Sequence, residues 1–480
     1  MKKIFCLIFF IVLAAYHIQA KEKTIVIYST NDVHGSITNF AKIARFIQNE
    51  RKQNPNILVL NGGDIFSGNP IVDQHTQQGL PMIELMNQIG YDYGVFGNHE
   101  FDYGQEVLAQ RINDANFQFL CANIHVDENI AQISQPKPYI IIKVNGIKIG
   151  ILGLIEASKK RNGEWLPATH PDRLKGITFT NPFETALEYK KLRKKCHLFI
   201  GLFHTGYEKD LEIAQAMPEL DAIIGGHSHT KIKSTKIENG VLITQAQDDL
   251  EYIGKTTITL NKKKIISKKF ELINLANLQE EDLVVKQMIQ RYHDESPLGQ
   301  VLAKATAQFN GKNPLGSLMT DAIVNIHQVD FAFQNSGGVR IGMLPKGNIT
   351  MADVFKLDPF GNTVVVYEMT PEEIRTLLKN SHRKYNKRVD LLPSGLKYTI
   401  YTKDGVATRV SLTDMNGNPL DESRRYKVGM NSYISSSYKF DKPQPGKEMK
   451  VKASDALIEY LKQQKEVTPH EAPRGIVIEE

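Results

Sequence analysis

Short apolar runs alternate with amphipathic segments over the first half of the chain, from Thr24 to about Thr259. Runs rich in Ile, Val and Leu are typical of strands that are buried on both faces. They read TIVIYST, NILVLNG, YGVFGN, IKIGILGL, HLFIGLFH, AIIGGH and GVLITQA. Helical periodicity lies between them, in FAKIARFIQNERKQ and PMIELMNQIG. This alternation predicts an α/β domain with buried sheets.

A strand pair, KTTITLNKKKIISKKFELINL, follows this region, and a second α/β region begins near Ser296. Between them, EEDLVVKQMIQRYHDE is charged and amphipathic with few turn residues, and we interpret it as a linker helix. In the second region, Thr370, Pro371 and Glu373 place a capping residue, a proline and an acid in the order typical of a helix start. A helix is therefore predicted to begin there.

These patterns divide the chain into four segments. Residues 1–20 have the layout of a signal peptide, because two lysines precede an apolar run that ends near the small residue Ala20. Residues 21–275 are predicted to form the first α/β domain, residues 276–296 the linker helix and residues 297–480 the second domain. The apolar run is too short for a comfortable membrane span. We therefore expect an exported protein, periplasmic or secreted, without a stable membrane span.

Composition narrows the classes of function. The formal net charge is +6, and the basic residues are scattered instead of forming one stripe, which argues against a nucleic-acid polymer as partner. The sequence has neither a GxSxG nucleophile motif nor a P-loop, so it lacks the signatures of serine hydrolases and of ATP-driven enzymes. Cys121 and Cys196 lie in apolar stretches and are expected to be buried thiols, with a disulfide between them as the alternative.

Polar side chains follow five of the predicted strands. Because the carboxyl ends of strands form the ligand-binding edge in α/β folds, we expect these side chains to meet. They are Asp32, His34, Asp64, Asn98, His204, His227 and His229. Carboxylates and imidazoles suit Zn, Mn, Fe or Co ions, and the lack of cysteine argues against a structural zinc site. A single such motif would be an ordinary turn, but five of them together favour two metal ions that share a carboxylate.

The motifs TNDVHG, NGGD, GNHEFD, FHTG and GGHSHT together resemble those of the calcineurin-like metallophosphoesterases, and most of all their 5′-nucleotidase branch. In the second region, NSGGVR, DPFGNTVVVYEMT and LLPSGLKYTI are similar to the nucleotide-recognition domain of secreted 5′-nucleotidases and UDP-sugar hydrolases. The resemblance covers essentially the whole chain after residue 20. It implies a four-layer α/β/β/α sandwich followed by a separate α/β C-terminal nucleotidase domain.

The resemblance also implies a role for each residue of the first-domain set. One metal ion would be held by Asp32, His34, Asp64 and His229, and the other by Asp64, Asn98, His204 and His227. His99 is similar to the family's histidine that stabilises the transition state and can protonate the leaving group, and Asp102 would hold its imidazole. Relatives commonly carry Gln or Asn where His229 stands. We expect Glu100 to be a structural acid of the loop.

In the second domain, the resemblance implies substrate contacts from Asn335, Arg340, Phe360 and Tyr433. Arg340 would bind an anionic oxygen, and the two aromatic rings would stack on a base. Two departures from the family pattern concern the sugar and the phosphate. Relatives carry an Asp that holds the ribose hydroxyls about where Lys439 stands here. Relatives also carry an Arg near the position of Phe309, for which the candidate substitutes are Lys304 and Lys312.

The expected activity is that of a 5′-nucleotidase, in which a hydroxide between two divalent metal ions, such as Zn or Mn, attacks the phosphorus of a nucleoside monophosphate. The departures keep two other activities open: a 2′,3′-cyclic-nucleotide phosphodiesterase and a broad phosphomonoesterase. An alternative from another class is a surface protein that binds nucleotides or a partner without turnover. In each enzymatic case the partner is a small phosphate ester.

Overall fold

The computed structural model describes residues 22–160, 162–442 and 444–480. The predicted signal peptide at residues 1–20 lies outside the described residues. The strands up to residue 274 are β1 (Lys23–Thr30), β2 (Ile57–Asn61), β3 (Tyr93–Val95), β4 (Gln118–Leu120), β5 (Ile124–Val126), β6 (Tyr139–Val144), β7 (Ile147–Ile155), β8 (Ser158–Lys159), β9 (Trp165–Leu166), β10 (Ile177–Phe179), β11 (Leu198–His204), β12 (Ala222–Gly225), β13 (Lys236–Glu238), β14 (Val241–Thr244), β15 (Tyr252–Asn261) and β16 (Lys264–Asn274).

The later strands belong to the second region: β17 (Val301–Ala305), β18 (Phe309–Asn310), β19 (Phe331–Asn335), β20 (Met343–Leu344), β21 (Gly347–Thr350), β22 (Thr363–Met369), β23 (Leu391–Ser394), β24 (Leu396–Lys403), β25 (Val406–Asp414), β26 (Tyr426–Asn431), β27 (Lys447–Lys452), β28 (Glu466–Val467) and β29 (Gly475–Glu479). The α-helices are α1 (Phe40–Gln53), α2 (Pro70–Asp73), α3 (Leu80–Ile89), α4 (Gln105–Asp114), α5 (Pro182–Glu188), α6 (Tyr207–Ala216), α7 (Leu283–Glu295), α8 (Lys312–His327), α9 (Met351–Leu357), α10 (Pro371–Ser381), α11 (Ser432–Ser437) and α12 (Ala453–Gln464). Short 3₁₀ helices span His99–Phe101, Pro171–Leu174, Lys190–Lys195, Leu275–Asn277, Pro297–Gly299 and Ser336–Gly338.

Two six-stranded sheets form the centre of the first domain, in the orders β16-β15-β1-β2-β3-β4 and β13-β14-β12-β11-β7-β6. The strands β1 to β4 of one sheet are parallel, and so are β7, β11, β12 and β14 of the other. Antiparallel strands flank each parallel group. Parallel strands are covered on both faces, which explains why their sequences are continuous apolar runs without alternation.

The core residues define the order of the layers. Ile25 and Ile27 of β1 lie in the core between the two sheets, whereas Tyr28 lies in a separate core beneath the outer helices. Helix α1 contributes Phe40 to that outer core, and α6 places Ile213 against the second sheet on the opposite side. The layers therefore run helix, sheet, sheet, helix. The four-layer sandwich implied by the resemblance is confirmed.

The second domain is also α/β and is built on the mixed five-stranded sheet β23-β19-β26-β22-β27. Helix α10 begins at Pro371, where the Thr370 hydroxyl accepts a hydrogen bond from the Glu373 N–H at 3.3 Å. The Glu373 carboxylate in turn accepts from the Thr370 N–H at 2.7 Å. These reciprocal hydrogen bonds form a capping box, so the helix start predicted from the sequence is confirmed.

The helix expected in the linker is present as α7, and it packs on the first domain. The backbone N–H of Asp282, its N-terminal cap, donates to the carbonyl of Ala41 in α1 at 2.8 Å. The buried Tyr292 donates its hydroxyl to Glu84 of α3. The domains meet where α2 lies beside α9.

Two further expectations concern the cysteines and the membrane. Cys121 and Cys196 are both buried and free, so the prediction of buried thiols is confirmed. Burial raises the pKa of the Cys121 thiol to about 12, which keeps it protonated and unreactive. In the described ranges, every helix is too short or too polar to cross a membrane.

Candidate functional site

The parallel strands of both sheets end at one edge of the first domain, and the residues predicted as metal ligands follow these ends. His204 is the last residue of β11, and the others come within a few residues of the ends of β1, β2, β3 and β12. The structure brings all seven together. In three overlapping groups, the candidate ligand atoms lie within 4.8 Å of one another: Asp32, His34 and His229; His34, Asp64 and His99; and Asp64, His204 and His227. Asn98 joins them through its amide oxygen, 3.1 Å from Nδ1 of His227.

The backbone at this edge is strained. Five of the seven residues have a positive φ: Asp32 (50°), His34 (48°), Asp64 (53°), His227 (80°) and His229 (53°). A left-handed conformation costs a non-glycine residue about 1–2 kcal/mol. Such strain persists only where the surrounding contacts enforce it, and it is concentrated at functional sites in proteins.

His204 and Asp64 form the buried centre of the site. Nδ1 of His204 lies 2.7 Å from the carbonyl oxygen of Gly62, so Nδ1 carries the proton and donates. Nε2 lies 3.1 Å from Oδ2 of Asp64 but has no aligned hydrogen-bond partner among the described residues. A nitrogen lone pair thus faces a carboxylate with no solvent between them. This arrangement favours a cation, and it suits a metal ion held between the two groups.

His34 and His229 provide two further nitrogen lone pairs. The Nδ1 atom of His34 donates to the Ser67 carbonyl at 3.2 Å, and Nδ1 of His229 donates to Asp248 at 2.9 Å. The Nε2 atoms, which are left without protons, face each other at 3.1 Å. Oδ1 of Asp32 lies 3.7 Å from Nε2 of His229. The donor set of this half of the site also fits a divalent metal ion.

The electrostatics of the site differ between its histidines. Burial, together with the neighbouring imidazoles, lowers the pKa values of His34 and His227 to about 4, so both rings are neutral at pH 7. Burial also lowers the pKa of His204, but the adjacent Asp64 carboxylate outweighs it and raises the value to about 10. A positive charge between His204 and Asp64, whether a proton or a metal ion, is therefore strongly stabilised.

Glu100 is a structural acid of the loop, as the sequence suggested. Its fully buried carboxylate accepts hydrogen bonds from the backbone N–H groups of Asp64, Ile65 and Gly97. These three bonds tie the loop after β2 to the loop after β3. Burial and the Asp64 charge raise the pKa of Glu100 to about 7. Glu100 thereby fixes the position of Asp64 without occupying the metal site itself.

His99 lies beside the metal groups and is hydrogen-bonded to Asp102. Its Nδ1 is 2.6 Å from Oδ2 of Asp102, and Oδ1 of Asp102 accepts from the Thr169 hydroxyl at 3.1 Å. Burial lowers the pKa of the His99 imidazole, but the hydrogen bond to Asp102 and the charge of Asp64 raise it to about 9 overall. His99 is therefore held as an imidazolium at neutral pH, the state of a proton donor.

The substrate residues predicted in the second domain gather at the carboxyl ends of β19 and β26. Asn335 ends β19, and its side-chain oxygen accepts from Asn431 at 2.9 Å, two residues before Tyr433. The Arg340 guanidinium lies 5.5 Å from the ring centre of Phe360. Phe360 and Tyr433 are 47% and 45% exposed, unusual values for large aromatic rings, so part of each ring is open to a ligand. Among the described residues, no hydrogen bond or ion pair joins this surface to the metal groups.

The structure separates the two lysines considered as substitutes for the missing arginine. Lys312 donates to the carbonyl of Ser336 at 2.8 Å, directly after Asn335. Lys304 lies on β17 in a different sheet. Phe309, near the family's arginine position, is 1% exposed and packs in the core. Of the two lysines, Lys312 is the one at the substrate surface.

Two acids at these surfaces were missed by the sequence reasoning. Asp248 accepts the hydrogen bond from His229 described above. Asp390, directly before β23, accepts from the Ser336 hydroxyl at 2.7 Å and from the Tyr438 hydroxyl at 2.6 Å. The Tyr438 ring meets Tyr433 edge-on with 6.3 Å between ring centres. The only sequence signal was a polar residue next to a predicted strand, which is too common to single out either acid.

Comparison with known proteins places this arrangement in a family. The calcineurin-like phosphoesterase model matches residues 25–231, and the model of the 5′-nucleotidase C-terminal domain matches residues 287–439. The 5′-nucleotidase of Vibrio cholerae serotype O1 is 30% identical over 384 residues, which are 67% of this chain and 67% of that protein. The chain belongs to the 5′-nucleotidase family. The resemblance inferred from the motifs is thereby confirmed.

A solved structure agrees with this membership of the 5′-nucleotidase family. The 5′-nucleotidase precursor from Thermus thermophilus is 26% identical and superposes with a TM-score of 0.71, covering 95% of this chain and 99% of that one. Some relatives are much longer. The Bacillus subtilis trifunctional nucleotide phosphoesterase protein YfkN is 25% identical over 86% of this chain, but the match covers 32% of that protein. The match to endonuclease YhcR of the same species covers 37% of it, so the chain spans about a third of the length of these two relatives.

Proposed function

We propose that the protein is a metal-dependent phosphohydrolase that releases phosphate from nucleoside monophosphates. The observation that carries this proposal is the convergence of seven oxygen and nitrogen donors on Asp64 and its neighbours, with imidazole lone pairs facing other acceptors at about 3 Å. One metal ion would be held by Asp32, His34, Asp64 and His229. The other would be held by Asp64, Asn98, His204 and His227, with Asp64 shared between them.

Two divalent ions bound here would supply an activated water near neutral pH and would neutralise charge on the phosphoryl oxygens. The chain's own contribution begins with His99. As an imidazolium, it stabilises negative charge that develops on the phosphoryl group and donates a proton to the departing alcohol oxygen. Asp102 accepts the Nδ1 hydrogen bond, so the opposite ring nitrogen carries the proton that is transferred. Buried Glu100 keeps Asp64 in place throughout.

The surface of the second domain would bind the nucleotide. Arg340 and Lys312 provide positive charge for the phosphate, and Phe360 and Tyr433 provide the two faces between which a base stacks. Asp390 replaces the acid that relatives carry after the second aromatic: its carboxylate already accepts two hydroxyl donors and has further lone pairs for ribose hydroxyls. This assignment favours ribonucleotides over simple phosphate esters.

A substrate panel with the metal-loaded protein tests the proposal. We expect phosphate release from ribonucleoside 5′-monophosphates, abolished by a chelator and restored by Mn²⁺ or Zn²⁺. Slower release from an aryl phosphate would agree with base and ribose recognition. Equal rates on both substrates would favour the broad phosphomonoesterase, and turnover of 2′,3′-cyclic AMP alone would favour the phosphodiesterase. If no phosphate ester is hydrolysed by protein that holds two ions, the proposal is wrong.

Export is the second part of the proposal. It is supported by the basic, apolar and small-residue pattern of residues 1–20. The mature protein is expected to begin at Lys21 in the periplasm or outside the cell. Intact-mass measurement of protein purified from its native host checks this, and a chain that still carries residues 1–20 would contradict it.

A further inference from the structure

The loop after β14 holds an acid against one of the proposed metal ligands. Oδ2 of Asp248 accepts a hydrogen bond from Nδ1 of His229 at 2.9 Å. The opposite nitrogen of the same ring, Nε2, points to His34 and Asp32, at 3.1 and 3.7 Å. Asp248 therefore determines which nitrogen of His229 carries the proton and which presents its lone pair to the metal position.

The backbone of this loop is distorted in a way that serves this contact. Gln247, Asp249 and Leu250 all have positive φ values, of 63°, 53° and 56°. Three left-handed non-glycine residues within four positions are each disfavoured, because their Cβ atoms crowd the backbone. A run of this kind is kept only when other contacts enforce it.

Those contacts come from the segment directly after β1, which carries the metal ligand Asp32. The Asn31 side chain donates to the Gln247 carbonyl at 2.6 Å and accepts from the Ala246 N–H at 2.7 Å. The Asp249 N–H donates to the carbonyl of Asp32 at 2.9 Å. The loop is thus attached to the segment of Asp32 itself. These hydrogen bonds fix the position of Asp248 relative to the metal site, independently of its own side chain.

We propose that Asp248 is a positioning residue of the metal centre, which acts through His229 to strengthen the binding of one of the two ions. The inference rests on the metal site of the proposed function. A carboxylate that accepts from a ligating imidazole fixes the ring orientation and raises the basicity of the opposite nitrogen. His229 stands where the resemblance implies an amide ligand in relatives. An amide has no imidazole tautomer for a carboxylate to set, so the pair of Asp248 and His229 forms a unit of its own.

The experiment measures zinc affinity on the full-length mature protein by competition with a chelator, and counts bound ions by elemental analysis. Asp248→Asn should weaken the binding of one ion tenfold to a hundredfold, which is the usual effect of removing the hydrogen-bond partner of a metal-ligating side chain. The affinity for the other ion should not change. Asp249→Asn is the matched control. It removes the same charge one residue away, and its side chain makes no hydrogen bond among the described residues. This control should bind both ions within about twofold of the wild type.

A second pair of variants separates an action through His229 from a general effect on the loop. In a His229→Ala background, the added Asp248→Asn change should alter the affinity by no more than about twofold, because the side chain that Asp248 positions is gone. The proposal is overturned if Asp248→Asn and Asp249→Asn weaken binding equally. It is also overturned if the Asp248→Asn effect persists in full without His229. Zinc affinity is measured without substrate, so a protein that binds two ions but releases no phosphate would refute the proposed activity alone.

Discussion

Replacing Gly97 by alanine is expected to disable the site without touching any ligand. A Cβ atom built at Gly97 would lie 2.2 Å from Oδ1 and 2.5 Å from the backbone nitrogen of Asp64. Ordinary contacts of a Cβ begin at 3.4 Å, and the backbone at Gly97 is outside the left-handed region, so the conflict is purely steric. Asp64 is also held by Glu100 and by the His99 N–H, and it cannot move away without breaking these hydrogen bonds.

The size of the effect follows from the displacement. Relief of the contact requires the Asp64 carboxylate to move by about 1 Å, and a misplacement of this size costs on the order of a hundredfold in rate. Because Asp64 is shared between the two proposed metal positions, both ions should also bind more weakly. The assay is steady-state phosphate release together with the number of bound metal ions.

Gly94→Ala provides the control for this prediction. Gly94 lies in β3, three residues earlier, and the nearest atoms to its added Cβ are in Phe117 and Phe119, at 3.5 and 3.7 Å. These are ordinary packing distances, so the control should keep its metal ions and its rate. If Gly97→Ala also retains two ions and a rate close to that of Gly94→Ala, the argument that Asp64 must occupy this position is refuted.

Three further predictions use other parts of the structure. His99→Ala should keep both metal ions but lose turnover by two to four orders of magnitude, about the contribution of a general acid; loss of metal on elemental analysis would contradict the separation of roles. Asp390→Asn should raise KM for AMP and leave KM for 2′,3′-dideoxy-AMP unchanged, whereas equal increases would remove Asp390 from ribose binding. Burial raises the pKa of Asp358, which is 3% exposed, from 3.8 to about 7, so the folded state binds this proton more tightly than the unfolded chain. The stabilisation of the folded state by protonated Asp358 is fully present below about pH 4. It is lost as the pH rises to 7, which lowers the free energy of unfolding by up to about 4 kcal/mol. Asp358→Asn should therefore raise the melting temperature at pH 8 more than at pH 5, and an equal change at both would refute this.

Much of the first domain could be predicted because its central strands are buried on both faces. Runs such as ILVLN and LFIGLFH have no polar alternation and end abruptly in polar residues, which marks both the strand and the edge at which ligands gather. The start of α10 could also be predicted, because the capping residues at Thr370 are a signal in the local sequence. The assignment of strands to two facing sheets could not be read this way. It depends on pairings such as β1 with β15, more than 200 residues apart.

The parts of the site that were missed depend on contacts across the fold. Asp248 reaches His229 only because Asn31 and Asp32 hold its loop in a left-handed conformation. Asp390 lies beside Tyr438 because β23 pairs with β19. Neither the loop contacts around Asp248 nor this strand pairing leaves a pattern in the local sequence. The packing of α7 on α1 and α3 could not be predicted from the sequence either. Only Val285 and Tyr292 of α7 are fully buried, and its charged, amphipathic sequence fits a linker helix as well as a helix packed on the first domain.

A metal titration decides whether two metal ions that share Asp64 are needed for the hydrolysis of a phosphate ester. Metal-free protein is titrated with Mn²⁺ while phosphate release from AMP and bound metal are measured on the same samples. We expect no release without metal, full activity only as the second equivalent binds, and neither activity nor two bound ions in Asp64→Ala. Full activity in the metal-free protein, or an Asp64→Ala variant that binds two ions and hydrolyses AMP at the wild-type rate, would contradict it.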